Sequence, residues 1–321
     1  MSNQQKCRKC GNNAIINMRQ HKLPLCKSHF AEWVVEQTRR TIKKYKMFRP
    51  EDKILVAVSG GKDSLALWDI LQQLGYQADG LYIGLGIDRV PDTGGPDASE
   101  ALGYSDESRL MTEEFAEAQG LRLIIEDFPG QYGEGIPEIA LRTRRGHGKP
   151  CSVCGLSKRH VMNRVAREGN YDVLATGHNL DDEAATLFGN TLNWLEGYLL
   201  KQNPVLEASP GLVRKVKPLM RFYEREMAAY ALLRGIKYIQ EECPFSVGAS
   251  SIHHKEVLNQ LEAKSPGAKQ YFYLGFLKAK EKGFFNPKDE MDSDPQNICS
   301  TCGQITHAPR ECAFCRMVGK E

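Results

Sequence analysis

At 321 residues the chain has room for about two domains, at ~100–200 residues each, and for a sizeable core. Hydrophobic residues make up 41% and charged residues 26%, so neither wholesale disorder nor a fibrous repeat is expected. The longest apolar runs, Ile54 to Val58 and Ala228 to Leu233, fall far short of the ~18 residues a bilayer crossing needs, which leaves no membrane span. The net charge of +3 is small but unevenly spread. Residues 1–50 hold twelve Lys or Arg against Glu32 and Glu36, whereas residues 51–100 hold three basic and nine acidic side chains. A cationic front suits a phosphate-rich partner, because Lys and Arg displace condensed counterions; a solvated basic face is the plainer alternative. The polar N-terminus carries Cys7 and Cys10 where a secretory apolar core would sit, which points to a cytoplasmic setting with reduced thiols.

The ten cysteines fall into three groups: 7, 10 and 26; 151, 154 and 243; 299, 302, 312 and 315. At the front, Cys7 and Cys10 are separated by two residues, fifteen residues follow, and Cys26 and His29 repeat the interval. Four soft ligands on two short turns suit tetrahedral zinc, and Gly11 supplies the backbone freedom that a metal knuckle needs. Redox or coincidental thiols are the alternative. This zinc finger is expected over residues 1–30. A basic linker helix over 31–50 follows it, with Arg39, Arg40, Lys43, Lys44 and Lys46.

From Lys53 the pattern reads strand, tight loop, helix: Ile54 to Val58, then Ser59-Gly60-Gly61-Lys62-Asp63-Ser64, then Leu65 to Leu74 before Gly75. Such a loop aims successive amides and a helix N-terminus at one point, a ready phosphate site, and Gly60 and Gly61 remove obstructing side chains. The GxxxxGK spacing of the kinase and GTPase P-loop is absent. Further strands are expected at Ala78 to Gly84, Leu121 to Glu126, Asp172 to Thr176 and Ile236 to Gln240. Helices are expected near 106–119, 155–168, 181–191 and 222–234. This alternation predicts an α/β fold, a parallel sheet flanked by helices whose ligands collect beyond the carboxyl ends of the strands.

Between these elements, Asp88 to Asp106 is rich in Pro and Gly and reads as an inserted loop near the ligand edge or a tolerated surface extension. Arg142, Arg144, Arg145, His147 and Lys149 precede Cys151 in a Gly-containing loop and either guide an anionic partner or form a solvated loop. After the fourth strand, Gly177-His178-Asn179-Leu180-Asp181-Asp182-Glu183 sets acidic side chains at the same edge, where Mg²⁺ could sit between phosphates and carboxylates; helix capping, which needs no metal and could satisfy one of the two Asp residues, is the alternative. His147, His160, His178, His253, His254 and His307 carry no ligand spacing and are expected to be ordinary histidines.

Cys151, Cys154 and Cys243 make an incomplete cage. Zinc with a water, a [4Fe-4S] cluster with one iron lacking a protein ligand, and a CxxC pair beside a bystander thiol all remain open. At the rear, Cys299 and Cys302, nine residues, then Cys312 and Cys315 repeat the front design, giving a zinc ribbon expected over 285–321. Both terminal sites are fully ligated. They are expected to hold two structural Zn²⁺ ions in modules too small to fold unaided.

SGGKDS directly after a strand resembles the PP-loop of the ATP pyrophosphatase superfamily. With GHNLDDEA, the three mid-chain cysteines and the flanking modules, the chain is similar to the TtcA/TtuA family of tRNA 2-thiouridine synthetases. LVAVSGGKDSLALWD, CGLSKR, ATGHNLDDEA, LFGN, YALLRGI and EECP are phrases that family uses in this order. The resemblance implies a PP-loop catalytic domain over 51–284. In it Ser59, Gly60, Gly61, Lys62, Asp63, Ser64, Gly177 and Asp181 would hold ATP and Mg²⁺. Cys151, Cys154 and Cys243 would hold an oxygen-labile [4Fe-4S] cluster whose open iron accepts the sulfur, with Lys158 and Asp182 beside ATP and the reacting uridine. The implied reaction adenylates the C2 oxygen of a tRNA uridine and replaces it with sulfur. T-loop 5-methyluridine at position 54 is the expected target and the wobble uridine the alternative. A ubiquitin-like thiocarboxylated carrier as sulfur donor and a homodimer are also implied. The rival is a PP-loop tRNA-modifying ligase or amidating enzyme, which leaves the three cysteines without a role. One departure from the family is the length of 88–106.

Overall fold

In a computed structural model the described residues are 5–87, 103–284 and 297–319. The chain opens with an antiparallel hairpin of β1 (Ile16–Met18) and β2 (Leu23–Leu25), then helix α1 (Lys27–Lys44). The alternating region runs β3 (Ile54–Ala57), α2 (Lys62–Gln73), β4 (Ala78–Gly84), α3 (Tyr104–Gln119), β5 (Leu123–Asp127), α4 (Phe128–Tyr132), α5 (Ile136–Arg142), α6 (Pro150–Glu168), β6 (Val173–Thr176) and α7 (Leu180–Leu192). Then come α8 (Glu196–Lys201), β7 (Val205–Leu206), β8 (Arg214–Val216), α9 (Glu224–Arg234), α10 (Ser250–Lys264) and α11 (Ala268–Glu281). The chain closes with β9 (Asn297–Ile298), β10 (Ile305–Thr306) and α12 (Ala313–Val318).

Six strands form one sheet in the order β5-β4-β3-β6-β8-β7, parallel except for β7, which runs antiparallel to β8. The chain builds outward from β3 to β4 and β5, then returns to the other side of β3 with β6 and β8. That reversal leaves a crevice beyond the carboxyl ends of β3 and β6, the place where open α/β sheets bind ligands. Mid-sheet β3 is covered on both faces, so Ile54, Leu55 and Val56 are all fully buried.

Alternation along β3 divides the interior in two. Ile54 and Val56 share a core with Trp68 and with Met18, Leu25 and Phe30 of the front module. Leu55 faces the other core, with Val161, Phe128 and the rear module's Phe314 and Met317. The two cysteine-rich modules therefore dock against opposite faces of the sheet. The front one is fixed to α9 by Gln20 Nε2 donating to Glu226 at 2.6 Å. The rear one is fixed to α6 by the Phe314 ring stacked on His160, with centroids 3.7 Å apart and planes at 12°. Gln304 adds a donor to the His160 carbonyl at 3.2 Å and accepts from Asn163 at 2.9 Å. Among the described residues no helix is long and apolar enough to cross a membrane.

Three local expectations are corrected. Ile236 to Gln240 is not a strand: Ile236 and Ile239 are buried, but the Ile239 N–H goes to the Gly60 carbonyl at 2.9 Å, and the place beside β6 belongs to β8. The three residues of β8, Arg-Lys-Val, are too short and polar to give a period-2 signal. The helix expected from 155 starts at Pro150, so Cys151 and Cys154 lie within its first turns; Pro suits that opening position. The helix after the front cysteines starts at Lys27, which puts His29 on it. Of the long loop, residues 88–102 lie outside the described residues, and Tyr104 to Asp106 open α3.

Burial, with Arg164 nearby, holds the His160 imidazole down to about 4. The unfolded chain binds that proton near 6.5, so between the two values the unfolded state carries more protons and stability falls as pH drops from about 6.5 toward 4. Urea midpoints measured across that range should decline for the native protein and decline less for His160→Gln. An identical slope in the variant would refute this source of acid sensitivity.

Candidate active site

The loop after β3 turns tightly because its own serine closes it. Ser64 Oγ donates to the Gly61 carbonyl at 2.9 Å and accepts the Ser59 N–H at 3.1 Å. Gly60 has φ +70, and a Cβ there would lie 2.4 Å from the Ser108 carbonyl oxygen, so α3 packs directly on the loop backbone. At Gly177 a Cβ would lie 2.9 Å from the Asp63 carbonyl, which lets the end of β6 pass over the first turn of α2. Beyond these strands opens a cavity of about 390 Å³. Ser59, Asp63, Ser64, Lys158, Gly177 and Asp182 all line it, and Val58, Leu81, Tyr82 and Ile83 add an apolar wall. That is nucleotide scale, an apolar slot ending in a polar turn.

Along one side runs a chain of alternating charges. Lys62 Nζ is 3.3 Å from Asp63 and 2.8 Å from Glu224; Lys255 Nζ is 3.2 Å from Glu224 and 2.7 Å from Asp182. Asn179 closes the circuit, donating from Nδ2 to Asp63 at 3.1 Å and from its backbone N–H to Asp182 at 3.1 Å. Burial raises the Asp63 pKa, helped by Asp182 and Glu224 and opposed by Lys62 and Asn179. Glu224 is held low against burial by Lys62 and Lys255. Asp182 caps α7 and also lines the cavity. Asp181 does not reach it: its carboxylate is buried against Lys269 and accepts the Glu224 N–H at 2.9 Å, on the wall of a separate hollow of about 520 Å³. Lys62 also lines that second hollow. His178, expected to be ordinary, stands in the first cavity, hydrogen-bonded to Thr176 at 2.8 Å; its surroundings and Lys217 hold it down to about 4, so it is neutral at pH 7.

The mid-chain thiols converge. Cys151 Sγ donates to the Phe245 carbonyl at 3.4 Å, bringing the turn that follows Cys243 onto the start of α6. Burial raises the Cys151 and Cys243 pKa values, Cys154 adds to both, and Lys158 opposes both. Lys158 also lines the nucleotide-sized cavity, so one ammonium serves both places. Tyr104 does likewise: it lines the cavity, and burial together with Cys243 pushes its hydroxyl up to about 12.

Donor spacing separates the three cysteine groups chemically. Zn–S bonds of ~2.3 Å in a tetrahedron put ligand sulfurs about 3.8 Å apart. Cys10 and Cys26 sulfurs are 3.7 Å apart, those of Cys302 and Cys312 3.8 Å, and His29 Nδ1 is 3.3 Å from Cys26. In each terminal set of four, all donor atoms lie within 4.8 Å of one another. Burial works against ionisation of Cys7 and Cys299, yet amide N–H groups turned on the sulfurs bring them to about 5 and about 6. Among the described residues Cys151, Cys154 and Cys243 do not form such a tight set.

The cationic stretches are partly consumed internally. Arg39 and Arg40 both pair with Glu36, at 2.8 and 2.6 Å. Arg142 pairs with Glu134 at 2.7 Å and donates to carbonyls at the end of the rear module, while Arg145 donates to Ser152 at 3.1 Å, one residue from Cys151.

Residues 6–31 match a family model described as the N-terminal LIM domain of 2-thiouridine synthetase TtuA. Over 97% of its length the chain is 47% identical to a tRNA-5-methyluridine(54) 2-sulfurtransferase of Thermus thermophilus, covering 90% of that protein. A Thermotoga maritima protein of the same name is 41% identical, with 97% and 95% covered. Among solved structures the chain resembles the U34-tRNA thiolase NcsA from Methanococcus maripaludis with its [4Fe-4S] cluster. There the TM-score is 0.77 and the identity 25%, with 97% of this chain and 95% of that one covered.

A methyl at position 60 collides with Ser108 in a backbone region that side chains rarely adopt. Gly60→Ala should therefore weaken ATP binding at least about tenfold, equivalent to ~1.4 kcal/mol. Isothermal titration of the purified protein with ATP reads this directly. Unchanged affinity would show that the loop does not hold the nucleotide.

Proposed function

Since the chain belongs to the tRNA-5-methyluridine(54) 2-sulfurtransferase family, we propose that it thiolates a tRNA uridine at C2, with T-loop position 54 as the target. The observation that carries the reading is the double placement of Lys158 and Tyr104, which line the nucleotide-sized cavity and face the three convergent thiols. An activated base and an incoming sulfur can meet there.

The chemistry needs activation because the C2 oxygen of uracil is a poor leaving group. ATP supplies it. The base enters with its C2 oxygen toward the α-phosphate, that oxygen displaces pyrophosphate, and the adenylated base now carries AMP as leaving group. A sulfur nucleophile then adds at C2, and AMP departs with the former base oxygen. The amides of the Ser59 to Ser64 loop and the N-terminus of α2 would bind the phosphates. Asp63, Asp182 and Glu224 offer hard oxygen ligands for Mg²⁺. Lys158 offsets charge that develops on the α-phosphate, and Lys62 and Lys255 are the cations a triphosphate would draw from their carboxylates. Neutral His178 offers a hydrogen-bonding ring nitrogen beside the cavity.

Cys151, Cys154 and Cys243 are the residues that would hold a [4Fe-4S] cluster, and its three-thiol ligation would supply a place to keep sulfide next to the activated carbon. The two closed sets, Cys7/Cys10/Cys26/His29 and Cys299/Cys302/Cys312/Cys315, would each hold a structural Zn²⁺. A thiocarboxylated ubiquitin-like carrier as sulfur source, a homodimer and a cytoplasmic setting complete the reading.

The test is anaerobic thiolation of a T-loop uridine transcript with ATP, Mg²⁺ and sulfide, read by nucleoside mass spectrometry beside iron and acid-labile sulfide assays. Thiolated nucleoside at position 54 is expected, with iron lost in Cys243→Ser. Lys158→Ala should keep its iron and lose about 10²–10³-fold in kcat. Protein holding zinc but no iron that still thiolates tRNA would sink the cluster assignment.

A further inference from the structure

Helices α7 and α8 form a hairpin whose base is clamped and whose tip is apolar. Gln202 is the clamp: its Nε2 donates to the Glu183 carbonyl at 2.8 Å and its Oε1 accepts from Asn190 at 3.2 Å. Lys280 Nζ donates to the carbonyls of Leu200 at 2.6 Å and Gln202 at 3.2 Å, fixing the end of α8. At the tip, Leu192, Trp194 and Tyr198 are 60%, 72% and 67% exposed. Rings this open on a rigid support forgo the stabilisation that burial gives, and clustered apolar surface of this kind marks a binding site. Trp194 also sits at φ 46, a conformation unfavourable to a bulky side chain.

What lies beside the tip decides the partner. Tyr198 is an electrostatic neighbour of Arg159, which is in turn a neighbour of Arg145 and Cys154. The Arg159 guanidinium lies along α6 close to Gly155, next to Cys154. Lys215 on β8 faces Arg159 and Lys217, with Glu183 as the opposing charge, and its ammonium makes no hydrogen bond or ion pair among the described residues. Burial and these cations hold it down to about 8. Exposed rings on a hairpin whose Tyr198 neighbours the cation Arg159, the residue after cavity-lining Lys158 on α6, match single-stranded RNA: phosphates on the cations and bases on the rings.

We propose that this hairpin tip is a stacking platform for the RNA substrate: Trp194 and Tyr198 take bases adjoining the target uridine, while Arg159 and Lys215 hold the neighbouring phosphates. Extracting a base from a structured loop costs the stacking of its neighbours, and the platform replaces that stacking outside the fold of the RNA. The proposal rests on tRNA being the substrate and deepens that reading by naming the surface that positions it.

The experiment uses the full-length reconstituted protein and the T-loop transcript. Trp194→Ala with Tyr198→Ala should bind the transcript about five- to hundredfold more weakly, whereas ATP affinity and sedimentation stay as in the native protein. Trp194→Phe should recover most of the affinity and Trp194→Leu should not, because a planar ring and not mere apolarity is required. Trp68 is fully buried and Trp33 lies between Phe30 and Phe222, so acrylamide quenching of the native protein reports chiefly on Trp194, and the transcript should protect it. Transcript affinity within twofold of native in the double variant overturns the proposal. So does a change of sedimentation at unchanged affinity, which would make the tip a contact between copies. If native protein binds the transcript with Trp194 protected but thiolates nothing, the functional reading fails and the platform stands.

Discussion

Lys62 and Lys255 each bridge two carboxylates, so Asp63, Glu224 and Asp182 are strung together by two ammonium groups on elements far apart in the chain. The circuit draws α2, α7, α9 and α10 to one point. Without it three half-buried carboxylates would face each other at the carboxyl edge of the sheet, and removing one member of such a network leaves an uncompensated charge that costs more than the pair contributes. For the ATP and Mg²⁺ proposed here, the same circuit would make a triphosphate and a divalent cation mutually dependent. Phosphate alone must compete with carboxylates for the two lysines, and a cation alone must compete with the lysines for the carboxylates. Together they exchange partners with little net change in charge, so each should favour the other's binding.

The thiol pocket is a second charge problem attached to the first. Burial disfavours the thiolates of Cys151 and Cys243, and Cys154 adds its own charge. Lys158 works against both effects from the shared wall of the cavity. Its position eight residues into α6, two turns beyond Cys151, lets one side chain reach phosphate on one side and sulfur on the other. In the proposed reaction a phosphate drawn to Lys158 would bring the activated atom toward the sulfurs.

Much of this could be read from the chain because the relevant signals are local. The turn Ser59 to Ser64 is specified by its glycines and serines, and the two terminal four-donor clusters by spacing, since a knuckle is made by neighbouring residues. Strand β4 appears with the predicted limits because it is long and apolar. What could not be read depends on contacts distant in sequence. Lys255 and Glu224 are unremarkable helix positions until the fold brings them to Asp182 and Lys62. Tyr104 follows a long Pro- and Gly-rich sequence whose pattern gives no register. Asp181 and Asp182 look equivalent in sequence, and only the turn of α7 sends one to the cavity and the other to Lys269. Ile236 to Gln240 reads as a strand because its buried residues serve to pin a crossing segment, with Ile239 tied to Gly60.

That crossing segment shows how the modules at the two ends enter the chemistry. The front module docks on α9 through Gln20 and Glu226, and α9 carries Glu224 of the ion circuit and leads by way of Ile239 to Cys243. The rear module docks on α6 through Phe314 and Gln304, and α6 carries Cys151, Cys154 and Lys158. Each module thus braces one of the two elements whose meeting brings the thiols together, from opposite faces of the sheet. Modules this small would derive their own stability from a bound metal, so the proposed ions at Cys7 and Cys299 would act on the sulfurs through packed elements. The sheet supplies the crevice, but the approach of residues 154 and 243 is set by α6 and by the segment that follows α9, each braced by one terminal module.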